Sequence, residues 1–273
     1  MLQNRTVITA DSRLSLRLRE LWQYRELFYF FTWRDIKVKY KQTSLGIIWA
    51  VLQPLALMLL FTFVFSRNLK FESGAVRYEI FVLSGLVLWG LFHSAVAHAA
   101  ESIILQSNII KKIYFPRLII PCSAILVSLF DFLIAFTVFL LFCVFFKQAV
   151  HWSAFYLYPA AILLIIVSAF GIGTFLSALT VKFRDFRYAL PFMLQFLFFA
   201  SGVIYSISSI KQAWLKTLLA INPVNGAIEL FRGPLGSQTD WNVVAVSCLS
   251  ALCFSITGLF YFRNTEAYFA DLA

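Results

Sequence analysis

Apolar runs of membrane-crossing length alternate along this chain with short polar breaks, most of them basic. Residues 46–65 form the first run. Twenty residues at 1.5 Å each give about 30 Å, the thickness of a bilayer's hydrocarbon core. Pro54 lies inside it and predicts a kink. Further runs at 79–99, 118–146, 154–181, 189–206 and 242–262 predict five more spans. The 29 residues of 118–146 are long enough to tilt. Ahead of the first span, residues 13–33 read as an amphipathic helix suited to lying flat in the membrane interface. Leu14, Leu18, Leu21, Trp22, Phe28 and Tyr29 share one side, with Arg13, Arg17, Arg19, Glu20 and Glu26 mostly elsewhere. Arg25 falls on the apolar side and would have to snorkel. A basic stretch, residues 34–41, then anchors the next span.

Two stretches break the alternation. SNIIKKIYFPRLIIP, residues 107–121, sets Lys111 and Lys112 beside Ile109, Ile110, Ile113, Tyr114 and Phe115, with Pro116 and Pro121 bracketing the residues beyond. The prolines disfavour one unbroken helix. The stretch is either a short basic amphipathic helix for a soluble partner to grip, or a loop whose lysines hold it on the cytoplasmic side. Residues 207–241 are too apolar for an ordinary loop. Lys211, Lys216, Asn222-Pro223, Asn225-Gly226, Glu229 and Arg232 nevertheless interrupt any continuous span. Two short helices dipping into the outer leaflet fit this pattern. Non-helical backbone at that depth needs protein or a water-filled cavity to cover it, which makes the region a gate candidate.

Composition agrees with the pattern. Of 273 residues, 61% are hydrophobic and 13% charged, against about 45–50% and about 25% in soluble domains. The fold class is therefore all-α integral membrane: an N-terminal interface segment (1–45), a six-helix domain (46–262) and a tail (263–273). The net charge of +10 would point to nucleic acid in a soluble protein. Here sixteen Lys and Arg fall in the segments expected inside and seven in those expected outside. The positive-inside rule accounts for that bias, excludes nucleic acid as a partner, and puts both termini in the cytoplasm. The first 13 residues are polar and lead into no apolar region, so no cleavable signal peptide is expected. The four cysteines sit in apolar runs without metal-like spacing and read as packing groups.

Catalytic chemistry is missing. There is no G-x-x-x-x-G-K-[ST] phosphate loop, no H-E-x-x-H and no G-x-S-x-G, so the chain is expected to be no enzyme and to hold no metal or cofactor. His93, His98 and Glu101 cluster at one end of the second span, but His93 is out of register with the other two. They read as interfacial groups rather than zinc ligands. Ala169, Gly173 and Ser177 recur every four residues, a spacing that lets membrane helices approach closely. Asp131 is the one acid near the middle of a span. It is costly there, and serves either as a helix–helix hydrogen bond or as a group facing a conduit. The chain is also rich in rings, with 31 Phe, 11 Tyr and 7 Trp.

With these pieces placed, the chain resembles the membrane subunit of bacterial ABC exporters for polysaccharides, the family that moves O-antigen, capsule and teichoic acid. Four stretches carry the likeness: WRDIKVKYKQTSLGIIWAVLQPL (33–55), NIIKKIYFPRLIIP (108–121), SGVIYSISSI (201–210) and NPVNGAIELFRGPLG (222–236). They follow the family's order. The chain departs from its pattern at Leu118, where an acid is common, and at Gly202 and Ser206, where proline is common.

The resemblance implies a homodimer in the bacterial inner membrane, served by two copies of a separate ATPase that holds ATP and magnesium, and moving a lipid-linked polysaccharide. It makes Asn108, Ile109, Lys111, Lys112, Tyr114, Phe115, Pro116 and Arg117 the ATPase-coupling residues. Trp33, Arg34, Lys37, Lys39 and Tyr40 form the adjacent collar. Rings suit a sugar conduit because they stack on the C–H faces of pyranoses. Trp89, Phe92, Phe192, Phe196, Phe199 and Tyr205 are therefore conduit candidates, although most Phe in such a chain face lipid or other helices. Asn222, Pro223, Glu229 and Arg232 are the gate candidates. An ABC exporter of a smaller lipid or drug, or a stand-alone channel, is the rival reading.

Overall fold

A computed structural model describes residues 18–41, 46, 48–68, 76–266 and 269. Leu14, Arg13 and Arg17, most of the 67–77 loop and most of the tail lie outside them. The described chain is helical and contains no strand: α1 Leu18–Gln23, α2 Arg25–Lys41, α3 Ile48–Phe61, α4 Tyr78–Leu105, α5 Ser107–Ile110, α6 Ile119–Phe145, α7 Ala154–Lys182, α8 Phe186–Phe199, α9 Ala213–Ala220, α10 Pro223–Arg232 and α11 Trp241–Glu266. A π-helical turn, Thr62–Asn68, prolongs α3.

The bundle is built around α4. It is apolar on almost every side, and an all-round apolar helix is stable only when surrounded. Ile80 to Trp89 are buried without interruption. α6, α7, α3, α10 and α8 pack around it. α4 meets α7 closely because the side chains at the contact are small. A Cβ placed on Gly173 would lie 2.8 Å from the Ala99 Cβ, and Ala169 and Ser177, one turn to either side, are fully buried. The four-residue spacing is thus a packing face. A second close approach, absent from the sequence reading, joins α7 to α11, where a Cβ on Gly258 would fall 2.1 Å from the Gly171 carbonyl oxygen.

Among the described residues, five helices are long and apolar enough to cross a membrane: Ile48–Phe65, Tyr78–Leu105, Ile119–Phe145, Ala154–Lys182 and Trp241–Glu266. The expected fifth span differs. α8 has 14 residues, about 21 Å of helix, and the chain leaves helical geometry after Phe199 rather than continuing to Ser206. The N-terminal segment differs as well. It breaks at Tyr24, and α2 then runs on through the basic stretch to Lys41, packing along α6. Trp22 and Tyr29, expected on the membrane-facing apolar side, are about 70% exposed, whereas Phe31 is buried.

A second apolar cluster closes the end of the bundle that carries residues 107–118, here the near end. Phe31, Ile103, Ile110, Phe115, Val181, Phe262 and Phe269 meet there. α11 continues past the expected boundary at 262 to Glu266, and Phe269 folds back onto Phe262 at 5.1 Å.

Candidate functional site

The near-end stretch forms a single helical turn, α5, followed by tight turns closed by Lys111 N–H to the Ser107 carbonyl and Ile113 N–H to the Ile109 carbonyl, both 3.1 Å. Its side chains divide by direction. Asn108, Lys111, Lys112 and Tyr114 point outward, Ile109 is half-buried, and Phe115 and Pro116 are inside. Phe115 packs on Phe31 of α2 at 5.7 Å. Arg117 is half-buried: its backbone N–H donates to Glu266 Oε1 at 3.2 Å and its guanidinium to the Glu266 carbonyl. Of the eight coupling candidates, Phe115, Pro116 and Arg117 therefore secure the turn from within. Ile113 and Leu105, 62% and 66% exposed, extend its apolar edge; Leu105 was not anticipated.

The collar residues also divide. Lys37 lies 5.1 Å above the Trp33 ring on the outer side, and Arg34 pairs with Asp35 at 2.7 Å while covering Phe31. Lys39 and Tyr40 turn inward instead. The Lys39 ammonium and the Tyr40 hydroxyl both donate to the Asp131 carboxylate. Asp131 is twelve residues into α6, about 18 Å from its near end. α2 therefore climbs the bundle rather than lying flat, and its last turn is fastened at mid-span. Asp131 ties two helices and also lines a cavity.

That cavity is a cleft of about 640 Å³ between α3, α4, α6 and α8. Trp49 and Gln53 of α3, Trp89, His93, Ser94 and His98 of α4, Ser128 and Asp131 of α6, and Gln195 and Phe198 of α8 line it. Of the ring candidates, Trp89 lies here, 5.3 Å from Phe198. Phe92 is fully buried in the bundle. Phe192, Phe196 and Phe199 sit on the outer face of α8, 76%, 66% and 59% exposed, and do not line the cleft. Tyr205 is half-buried, and its hydroxyl donates to the Phe199 carbonyl at 3.3 Å. Gln53, Gln195 and Trp49 escaped the sequence reading. Their signal was an amide in the middle of an apolar helix, and in α3 the Trp49–Gln53–Leu57 spacing of four. His98 Nδ1 lies 3.1 Å from Ser128 Oγ.

At the far end, α9 and α10 supply the two short helices expected in 207–241. All ten residues of α10 are buried. The Asn222 side chain accepts from Val224 N–H and caps α10, with Pro223 at its first position. Arg232 is the hub. Its guanidinium donates to the carbonyls of Phe81, Gly202 and Val203 at 2.7–2.9 Å and to Ser84 Oγ at 3.2 Å, with Phe81's ring beneath it. Asn225 bonds the Ala200 and Leu219 carbonyls and accepts from Gly202 N–H. Together they satisfy the non-helical backbone that follows α8, as irregular chain at membrane depth requires. Glu229 is buried, which pushes its carboxyl up, and it accepts from Asp240 N–H. Lys216 bonds Asp240 and holds that carboxyl below the usual carboxylate range. Asn222, Pro223, Glu229 and Arg232 thus lie inside one chain's bundle.

Several apolar helices of membrane-crossing length, a polar cleft among them and an exposed basic turn at one end mark a multi-pass membrane protein. The chain belongs to the ABC-2 type transporter family, whose pattern covers residues 26–235. It is 29% identical over 212 residues to the O-antigen export system permease protein RfbA of Myxococcus xanthus, covering 76% of this chain and 79% of that one. Identity to a Klebsiella pneumoniae protein of the same name is 26% over 268 residues, 95% of this chain and all of the relative. The polysialic acid transport protein KpsM of Escherichia coli is 25% identical over 243 residues, 85% and 91% of the two chains.

Proposed function

We propose that this chain is the membrane subunit of an ATP-driven exporter that moves a lipid-linked polysaccharide across the bacterial inner membrane, with both termini in the cytoplasm. Two copies face each other around a conduit, and two copies of a separate ABC ATPase, which holds the ATP and magnesium, dock at the near end. The observation that carries this reading is the near end-to-end match to permeases named for O-antigen and polysialic acid, in a chain that has no phosphate loop of its own.

The exposed Asn108, Lys111, Lys112, Ile113 and Tyr114 supply a compact basic and apolar grip for the ATPase. The buried side of the same turn supplies the transmission. Phe115 bears on α2 through Phe31, and Arg117 bears on α11 through Glu266. α2 ends on Asp131, at the border of the cleft. A push at the turn therefore reaches the cleft through one helix.

The test is purification from native membranes in mild detergent, with partners identified by mass spectrometry. The expected partner is a phosphate-loop ATPase at one copy per copy of this chain. A clean homo-oligomer without ATPase, under conditions that preserve other ABC complexes, would sink the proposal in favour of a stand-alone channel. With the complex in hand, Lys111→Glu combined with Lys112→Glu should reduce ATPase retention at least about tenfold, equivalent to about 1.4 kcal/mol, while the chain stays in the membrane. Undiminished retention and export would remove the turn from the interface.

A further inference from the structure

We infer that the cleft between α3, α4, α6 and α8 binds a short run of uncharged sugar residues, so that the polymer carried is a neutral glycan rather than a polyanion. This rests on the reading of the chain as a polysaccharide exporter, and it addresses what that reading leaves open, since the relatives are named for both O-antigen and polysialic acid.

The first observation is charge. Among the described residues, Lys39 and Asp131 are the only Lys, Arg, Asp or Glu lining the cleft, and they are bonded to each other. A glycan with a carboxylate on every residue requires cations that are not already neutralised, preferably guanidinium forks. A neutral sugar has no such requirement.

The second observation is unspent hydrogen bonding. Gln53 and Gln195 both line the cleft, are exposed, and make no hydrogen bond to another described residue. Each amide offers two donors and an acceptor. Sugar hydroxyls, which also donate and accept, are a matching complement. The third is the aromatic surface. Trp49 lines the cleft and is 54% exposed, giving an indole surface for the C–H side of a pyranose beside polar groups for its rim. A cleft of about 640 Å³ also falls within the size range of small-molecule sites, and so has room for a short oligosaccharide.

Saturation-transfer NMR on the purified complex tests this with two probes: a panel of neutral trisaccharides of mannose, galactose or glucose, and α2,8-linked trisialic acid. At least one neutral trisaccharide should receive saturation, and excess trisialic acid should not displace it. Gln53→Leu and Gln195→Leu, which keep side-chain volume in an apolar helix, should each weaken that signal by about fivefold, the loss of roughly one net hydrogen bond. Their elution as intact complex controls for folding. Three results would overturn the inference: trisialic acid binding as well as or better than the neutral panel, neutral binding that survives both substitutions, or no binding by either probe. Each of these leaves the exporter reading standing as long as the ATPase co-purifies, so the two failures are separable.

Discussion

Arg232 shows how much of a residue's bonding is hidden in the sequence. An arginine in an apolar stretch with asparagines and a glutamate reads as a gate candidate, where protein or a water-filled cavity must cover the chain. In the folded chain it is 3% exposed, and four of its hydrogen bonds go to groups of two other segments. Three of the four acceptors are backbone carbonyls, which belong to every residue type and leave no mark in the sequence. The planar fork is the reason for arginine here, because lysine has one nitrogen to offer and cannot span the same set. Arg232→Lys should therefore strand at least one carbonyl, costing about 1–3 kcal/mol for each. A lowered midpoint of thermal unfolding in detergent, read by size-exclusion fluorescence, is the expected result. An unchanged midpoint would mean that water replaces the fork and that the far end is wetter than its burial indicates. Asp131, by contrast, was legible as the one mid-span acid, because a charge in hydrocarbon always demands a partner. Its partners were not legible, since Lys39 and Tyr40 sit 92 and 91 positions away in a basic stretch expected to anchor the next span.

Among the elements, the long apolar helices followed their hydrophobic runs closely, while the interrupted ones did not. α4, α6 and α7 begin and end within a few residues of expectation, apart from the near end of α4, where the helix continues past His98 and Glu101 to Leu105. α8 ended seven residues early. Val203, Ile204 and Tyr205 are as apolar as any span, and nothing local stops the helix except the weak helix formers Ser201 and Gly202. Donors on α10, Arg232 and Asn225, bond the carbonyls of Ala200, Gly202 and Val203 and make the break stable, and tertiary partners of that kind are invisible to periodicity. The small-residue row on α7 was legible because three positions share a four-residue spacing. The Gly171–Gly258 contact was not, because it pairs single glycines from distant helices. It is nonetheless the tighter approach, with less than a van der Waals contact available to any added carbon. Gly258→Leu should force α11 away from α7 and reduce the folded, monodisperse yield severalfold, with Gly90→Leu, whose added Cβ meets nothing within 4 Å, as the tolerated control. Equal yields from both variants would show that α11 shifts at little cost.

At the scale of the whole molecule, the near-end turn and the mid-span cleft are joined by a continuous set of contacts. Lys111 and Lys112 stand outside, Phe115 inside, and Phe31, Lys39 and Asp131 lead on from it along α2. α2 is held at Phe31 and again at Lys39 and Tyr40, so on the proposed reading a displacement at the turn reaches the cleft border along one helix. Asp131→Asn combined with Lys39→Met removes the ion pair at the inner anchor while leaving the outer grip untouched, and it leaves no charge behind to demand a new partner. The expected outcome separates two readouts of the assembled complex. ATP hydrolysis should persist within about twofold of the parent, because the proposed docking surface is intact, while glycan delivered to the cell surface should fall about tenfold or more, an energy of roughly 1.4 kcal/mol lost between the two ends. The Lys111→Glu and Lys112→Glu pair should instead lower both together, by releasing the ATPase. If the Asp131 and Lys39 substitutions leave export unchanged, α2 is a passive strap, and the force must reach the cleft through Arg117, Glu266 and α11.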